Sequence, residues 1–274
     1  MNFLKSRYIP SSNPWEPNFS GVFWNNGASN CFVYKDIGGI SILPYYDQVP
    51  SIIGIELEDA CLPLPHYWLF AEICNRPYLM VEKNIVVDLL KEEKISCLSE
   101  TIQSRFAQYV RHEVYYETYD FILGEYCVLH KGQCGYRCTK DGKTIWDFNG
   151  KAYLYTDIYR RNNNIFFGTA GYGGYFYVLN IENGKPLACI KTGGTAYIAQ
   201  RDHLCFITSK AHKKNASKLL CVDLNDGKIV EELELYGGVT KDSKLQLIGP
   251  QLHVVTFEYQ NERCVRAIWN VIEI

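Results

Sequence analysis

A glycine-containing turn recurs at nearly constant spacing in the second half of this chain. Its three copies have their glycines at Gly142, Gly184 and Gly227, so the separations are 184 − 142 = 42 and 227 − 184 = 43 residues. In each copy the glycine follows Asp or Asn and precedes Lys. Asp-Gly and Asn-Gly tolerate a positive φ and favour a turn between two strands. The spacing therefore predicts a repeated unit that is about one propeller blade long.

Strand-like runs accompany these turns. Aromatic and β-branched residues are concentrated at 175–179 and 219–224, directly before the second and third turns. Equivalent strands at 23–24, 68–69, 127–128, 166–167, 205–206 and 254–255 give six blades. The sequence predicts an all-β fold, a β-propeller of about six imperfect four-stranded blades, or seven if one more is degenerate. A single domain over 1–274 is expected.

Two further structural expectations follow from the same pattern. An open final blade would expose unpaired backbone groups, so a strand within residues 1–25 is expected to pair near the C-terminal strand. One insertion near 98–111 predicts a short helix, because Ser99 can cap it and apolar residues recur every four positions, at Leu98, Ile102, Phe106 and Val110.

The charge distribution is uneven although the net charge of the chain is only −2. Residues 47–126 carry 14 acidic and 6 basic side chains, a net −8, whereas residues 127–274 carry 14 acidic and 19 basic, a net +5. A chain without a global basic field is not expected to bind nucleic acid or an acidic membrane. The absence of a signal-like apolar run and the scattered single cysteines predict a cytoplasmic protein that does not span a membrane.

The Asp-x-x-x-Gly-Lys turns, and Ile145-Trp146 after the first of them, resemble the repeats of quinoprotein-like propellers over roughly residues 120–235. The resemblance implies the scaffold of that family. Its cofactor-using enzymes imply a vicinal cysteine pair, a calcium-bound quinone and a periplasmic location. No two cysteines are adjacent here. We therefore expect no cofactor.

An aromatic and acidic stretch follows the predicted helix. Its candidate partner-binding residues are Tyr115, Tyr116, Glu117, Tyr119 and Asp120. Tyrosines supply rigid contact area and carboxylates attract a basic protein. The alternative is an alternating strand whose aromatic side chains fill the core between blades.

Three other segments carry residue types used in ligand sites. Cys127, His130, Cys134 and Cys138 are zinc-ligand types, but their spacing fits no zinc motif, and the sequence leaves metal binding open. The glycine-rich run at 168–174 resembles a phosphate cradle, yet predicted strands on both sides favour an inter-strand loop. The basic segment 210–215 is interpreted as a solvated hairpin tip, with contact to an acidic partner or nucleic acid as alternatives.

Three function classes remain at this stage. The leading hypothesis is a non-catalytic protein-binding propeller, and by analogy a bacterial immunity protein that neutralises a toxin domain, such as a basic one. The second is a hydrolase or lyase acting on a carbohydrate or small metabolite in a central channel. Scattered candidates for it include Glu72, Asp202 and His253. The third is a structural subunit of a larger assembly; the oligomeric state cannot be read from the sequence.

Overall fold

The computed structural model describes most of the chain, and the predicted fold class is confirmed. The protein is all-β, with six antiparallel sheets in the arrangement of a β-propeller. Its contacts divide the chain into a large unit, Met1–Tyr8 with Tyr116–Ile274, and a small unit, Ile9–Tyr115. None of the described helical residues belongs to a helix long and apolar enough to cross a membrane. The described residues are 1–11, 21–55, 69–82, 85–95, 99–104, 106, 120–131, 134–154, 158–170, 173–193, 197–240 and 243–274.

The large unit contains four sheets, and in the first and third of them the strands follow one another in chain order, whereas the fourth takes in β1 (Asn2–Tyr8) after β25 (Arg263–Glu273). In the second sheet two short strands lie end to end on the same side of the next strand, so this sheet has five strands. The first sheet has β10 (Asp120–Leu123), β11 (Tyr126–Lys131), β12 (Gly135–Lys140) and β13 (Lys143–Asn149); the second has β14 (Tyr153–Leu154), β15 (Tyr159–Arg161), β16 (Asn164–Ala170), β17 (Tyr175–Asn180) and β18 (Pro186–Lys191); the third has β19 (Ile198–Arg201), β20 (Leu204–Lys210), β21 (Ala216–Asp223) and β22 (Ile229–Tyr236); the fourth has β23 (Leu245–Ile248), β24 (Gln251–Gln260), β25 (Arg263–Glu273) and β1 (Asn2–Tyr8).

The fourth sheet joins the two ends of the chain. β1 pairs antiparallel with β25, from Asn2 opposite Glu273 to Tyr8 opposite Ile268. The N-terminal ammonium group also forms an ion pair with Glu231 of β22. The predicted pairing of an N-terminal strand with the C-terminal strand is therefore confirmed, and it covers an edge of β25 that would otherwise expose unpaired backbone groups.

The small unit contains two sheets and one helical segment. Helical residues are 100–104 and 106, and Ser99 precedes them with its carbonyl accepting from Gln103 N at 2.9 Å. The helix thus begins where the cap predicted it, and its predicted C-terminal part lies outside the described residues. Ile102 and Phe106 are buried against the second sheet. The sheets are β2 (Gly21–Asn25), β3 (Asn30–Asp36), β4 (Gly39–Pro44) and β5 (Ser51–Gly54), then β6 (Leu69–Ile73), β7 (Arg76–Glu82), β8 (Ile85–Asp88) and β9 (Glu93–Ile95).

Two of the three predicted glycine turns share one hydrogen-bonding scheme. Asn180 and Asp223 each accept a bond from the backbone two residues ahead, at 3.0 and 2.8 Å, and the amides of Gly184 and Gly227 return to their carbonyls. The remaining turn is tighter, because both Asp141 and Gly142 have positive φ. The common sequence pattern therefore covers two turn geometries.

Apolar clusters lie between successive sheets of the large unit. Trp146 of β13 donates from Nε1 to the carbonyl of Ile181 at 2.6 Å, and its ring lies on Gly184, where an added Cβ would come within 2.7 Å of the ring. In the next copy Ala188 of β18 lies against Gly227. Full burial of a side chain such as Phe167 or Leu179 contributes about 1.5–3 kcal/mol each. The repeat thus preserves a sheet-to-sheet contact as well as a turn.

The predicted strand equivalence is wrong for the first two blades. Residues 127–128, 166–167, 205–206 and 254–255 all lie in the second strand of their sheets, but 23–24 and Leu69 lie in the first strand of theirs. Short apolar pairs do not distinguish the strands of one blade, and the glycines of the small unit, such as Gly27 and Gly39, do not precede a lysine at the spacing that identifies equivalent strands in the large unit.

Candidate functional site

The stretch with the predicted partner-binding residues is only marginally described. Tyr115, Tyr116, Glu117 and Tyr119 lie outside the described residues. Asp120 begins β10, where its backbone pairs with Leu129. The proposed role of this stretch stays a prediction.

The four zinc-type residues do not face one site. In the β11–β12 pair, Cys127 lies opposite Thr139, while Val128 lies opposite Cys138. Adjacent residues of a strand point to opposite faces, so Cys127 and Cys138 are on different faces of the sheet. Burial raises the pKa of Cys138 to about 11 and lowers the pKa of His130, whose ring packs 4.8 Å from the Tyr136 ring. The described residues contain no group of three metal-ligating side chains.

Two of the three named candidates for channel chemistry have structural positions of their own, and the third, Glu72, lies exposed in β6. Asp202 lies in an exposed turn between β19 and β20 with a φ of 53°. His253 is fully buried, and its Nδ1 accepts a bond from Trp269 Nε1 at 3.0 Å. The glycine-rich run connects β16 to β17, so no helix follows it, as the sequence predicted.

A pocket of about 470 Å³ lies in the small unit beside the start of the helix. Its charged wall includes Arg76, which forms an ion pair with the buried Asp88. The other oxygen of Asp88 accepts bonds from the amides of Leu90 and Lys91, at 3.0 and 3.2 Å. The carboxylate is therefore engaged in holding the β8–β9 turn, which leaves it poorly suited to act as an acid or base.

The large unit has two ends that differ in construction. The turn end is formed by the turns that include the three glycine repeats. The loop end lies at the opposite ends of the same strands and is formed by the residues around 134, 150–152, 173–174, 191–193, 210–215, 237–240 and 261–263.

Hydrogen bonds connect the loop end from sheet to sheet. Lys151 N donates to Tyr177 OH at 3.1 Å, which ties the first sheet to the second. Lys210 N donates to the carbonyl of Thr192 at 2.8 Å, which ties the second sheet to the third. Asn215 then exchanges two bonds with the backbone of Tyr259 in the fourth sheet, at 2.9 and 2.7 Å. The basic segment predicted as a solvated hairpin tip does connect β20 to β21, and its lysines are exposed, while Asn215 anchors one end of it.

The loop end is strongly basic. Its described residues and the strand residues bordering them carry eight cations and one carboxylate, Glu262, whose nearest oxygen is 3.9 Å from Lys214 Nζ. Two of the cations are engaged within the protein, because Lys131 pairs with Asp147 and Lys244 is buried and donates to Tyr197 OH. The other six, all of them exposed, are Lys151, Lys191, Lys210, Lys213, Lys214 and Arg263.

Tyrosine rings lie beneath three of the loop-end ammonium groups. Lys151 Nζ is 5.3 Å from the centre of the Tyr175 ring, Lys214 Nζ is 5.5 Å from that of Tyr259, and Lys244 Nζ is 4.3 Å from that of Tyr197. Such contacts favour a cation over the ring face and hold it near one position. In each case the ring and its lysine are far apart in the sequence, so the sequence alone does not predict the pairing.

The charges of the turn end are nearly balanced. Its described turns and bordering residues carry seven acidic and six basic side chains. They are Glu125, Asp141, Glu182, Asp202, Asp223, Asp226 and Glu273, with Lys140, Lys143, Arg161, Lys185, Arg201 and Lys228. Several of these charges pair locally, as Lys140 does with Glu125 at 2.7 Å and Lys228 with Asp226 at 2.7 Å.

Comparison with known proteins places the chain in no family. No family model matches, and no curated protein matches. Solved structures that it resembles include BamB from Moraxella catarrhalis, at 9% identity and a TM-score of 0.37, covering 99% of this chain and 97% of that one. The computationally designed Ika8 protein is 10% identical, with a TM-score of 0.35, and the match covers 96% of this chain and 98% of that one. A subtype N10 neuraminidase-like protein of A/little yellow-shouldered bat/Guatemala/060/2010 is 8% identical, with a TM-score of 0.43, and the match covers 98% of each chain. Identities and TM-scores this low say nothing about function.

Proposed function

We propose that this chain is a non-catalytic protein-binding β-propeller. The observation that carries the proposal is the contrast between the two ends of the large unit. Among the described residues, the same strands present a turn end with nearly balanced charges and a loop end with eight cations against one carboxylate. A concentrated patch of one sign on a hydrogen-bonded framework is suited to steering and orienting a charged partner.

The specific form that we propose is a cytoplasmic bacterial immunity protein that neutralises a toxin domain. Its support is the sequence of the small unit, which carries 13 acidic and 7 basic residues, a net −6. A field of that sign favours a basic protein, including the basic toxin domain expected from the sequence. Tyr115, Glu117 and their neighbours are proposed to contribute to this contact.

The test is capture of a partner by the purified whole chain from its native cells, followed by reconstitution with the purified partner. A single partner bound at fixed stoichiometry supports the binding function. Loss of that partner's toxic activity in the reconstituted complex supports the immunity form. Failure of every captured protein to bind again in purified form would overturn the proposal.

A second measurement separates the specific form from the general one. The captured complex is titrated at low salt and at about 0.15 M salt, where charges farther apart than roughly 8 Å are screened. An affinity that falls with salt fits a charged interface. A stoichiometric partner without toxic activity would leave the binding function standing and remove the immunity form.

A further inference from the structure

Several lysines at the loop end of the large unit form no ion pair with a described carboxylate. They are Lys191, Lys210 and Lys213, and all three are exposed. Like charges on one surface repel each other, and an anion bound there relieves the repulsion. This end of the unit is therefore suited to bind an anionic ligand.

The framework beneath these lysines keeps them together. Lys210 is held through its backbone to Thr192, and its side chain runs along Gly193, where an added Cβ would come within 2.9 Å of the Lys210 stem. Asn215 fixes the other end of the same loop on Tyr259. The loop thus presents Lys210, Lys213 and Lys214 with its backbone already ordered, which lowers the entropy lost on binding.

We propose that the loop end of the large unit is a docking surface for an acidic segment of a protein, a run of Asp and Glu side chains. This rests on the proposed binding function and names the chemistry of a second partner surface. Carboxylates of an extended segment reach successive ammonium groups of Lys151, Lys191 and the 210–214 loop. The polarity is opposite to that of the small unit's sequence, so the two surfaces select different features of a partner.

The aromatic rings at this end favour a protein segment over single-stranded nucleic acid. Nucleic-acid platforms of that kind stack successive bases on open ring faces. Here Tyr175 and Tyr259 each have a lysine ammonium over one face, and both side chains are partly buried. These two rings therefore position cations, and neither presents two open faces for stacking.

The test is a titration of the whole purified chain with a fluorescently labelled poly-glutamate peptide at about 0.15 M salt, where only close charge contacts survive screening. The decisive variant is Lys210→Gln with Lys213→Gln and Lys214→Gln, in which the side-chain stems are retained. The matched control is Lys143→Gln with Lys185→Gln and Lys228→Gln, which removes an equal number of positive charges from the turn end. Thermal unfolding of both variants checks that the fold is retained.

The expected result is saturable binding that the loop-end variant weakens by at least about tenfold and the turn-end variant leaves within about twofold. Equal weakening by both variants, or no saturable binding, would overturn the proposal. Tighter binding of a single-stranded oligonucleotide of equal charge would also overturn it, in favour of nucleic acid. If the titration fails while a native partner is still captured, the docking surface is lost and the proposed binding function survives.

Discussion

The two ends of the large unit use the same strands for different purposes. At the turn end, Trp146 reaches the next sheet and Gly184 makes room for its ring, while several charges pair locally. At the loop end, sheet-to-sheet contacts are hydrogen bonds of backbone groups and of polar side chains such as Asn215 and Tyr177, and exposed lysines lie around them. Packed rings hold the sheets at the first end, and polar contacts beneath a basic surface hold them at the second. The predictions below test that division.

Trp146→Ala is expected to give the largest loss. The side chain is 7% exposed, and its replacement removes an apolar ring from between two sheets together with a hydrogen bond, a cost of about 3–5 kcal/mol. Urea unfolding measures this change in the free energy of unfolding. Trp146→Phe keeps an aromatic ring but removes the hydrogen bond to the Ile181 carbonyl. The loss of that bond should lower the free energy of unfolding by about 1 kcal/mol. A loss below 1 kcal/mol for Trp146→Ala would mean that the turn end does not hold the sheets.

Acid should lower the free energy of unfolding by protonating His253, which is buried within the fourth sheet. Burial lowers the pKa of His253 from 6.5 to about 4. The unfolded chain therefore takes up this proton at a higher pH than the folded chain does. The contribution of His253 to the free energy of unfolding is fully present above about pH 6.5. It is lost as the pH decreases toward 4, by roughly 3 kcal/mol in total.

Equilibrium unfolding at a series of pH values measures that dependence. His253→Gln retains an acceptor for Trp269 and should flatten the curve between pH 6.5 and 4, leaving the smaller contribution of His130, whose pKa is also lowered by burial. The exposed His212 of the loop end offers the comparison. If His212→Gln flattened the pH dependence of unfolding as much as His253→Gln does, the effect could not be assigned to the buried histidine, and the contrast between the interior and the loop end would be contradicted.

Gly184→Ala should cost more than Gly142→Ala. Both glycines have positive φ, 67° and 73°, so both substitutions carry a backbone cost of about 1–2 kcal/mol. Only Gly184 also faces a ring, at 2.7 Å from the position of an added Cβ, whereas nothing lies within 4 Å at Gly142. The excess for Gly184 is expected to be about 1–3 kcal/mol from the forced shift of Trp146. Equal losses in chemical denaturation would show that the ring contact contributes little.

Asn215→Ala should have the smallest effect on stability and a clear effect on binding. It removes both bonds to the Tyr259 backbone, for about 1–2 kcal/mol, and changes no charge. Poly-glutamate binding should weaken because the lysine loop must then be ordered on binding. Asn183→Ala is the control at the turn end, where it removes the bond to Lys185 N at 2.9 Å. Peptide affinity that is the same in the two variants would contradict the role of the anchor.

The turn end was largely predictable from the sequence, whereas the loop end was not. Turns depend on local chemistry, so Asn-Gly and Asp-Gly at fixed spacing indicated both the sheets and their order. Ser99 indicated the helix start for the same reason. The loop end depends on long-range proximity: Lys214 and Tyr259, or Lys151 and Tyr175, meet only because successive sheets pack side by side. A signal was present in the lysines at the ends of β18 and β20, since Lys191 and Lys210 close strands of successive blades.

Other expectations failed or stayed untested for equally physical reasons. The cysteine and histidine cluster combined ligand types, but strand alternation sends Cys127 and Cys138 to opposite faces. The strands of the first two blades were assigned wrongly because their glycines do not form the regularly spaced Asn-Gly-Lys or Asp-Gly-Lys turns of the later blades. The candidate acidic surface at 115–119 lies outside the described residues, so its role and the identity of any toxin partner remain proposals.

The pairing of β1 with β25 has a consequence for how the molecule is made. Asn2 is synthesised 273 − 2 = 271 residues before Glu273, its partner in the sheet. β1 must therefore wait for β25, and the fourth sheet is completed only after the strands of the other sheets have been synthesised. Fusion of a tag to Met1 would add its bulk at the ion pair with Glu231, directly beside that closing step. A nascent chain arrested just short of β25 would hold β1 without its partner strand, and the unpaired backbone groups of β1 could then pair with another chain.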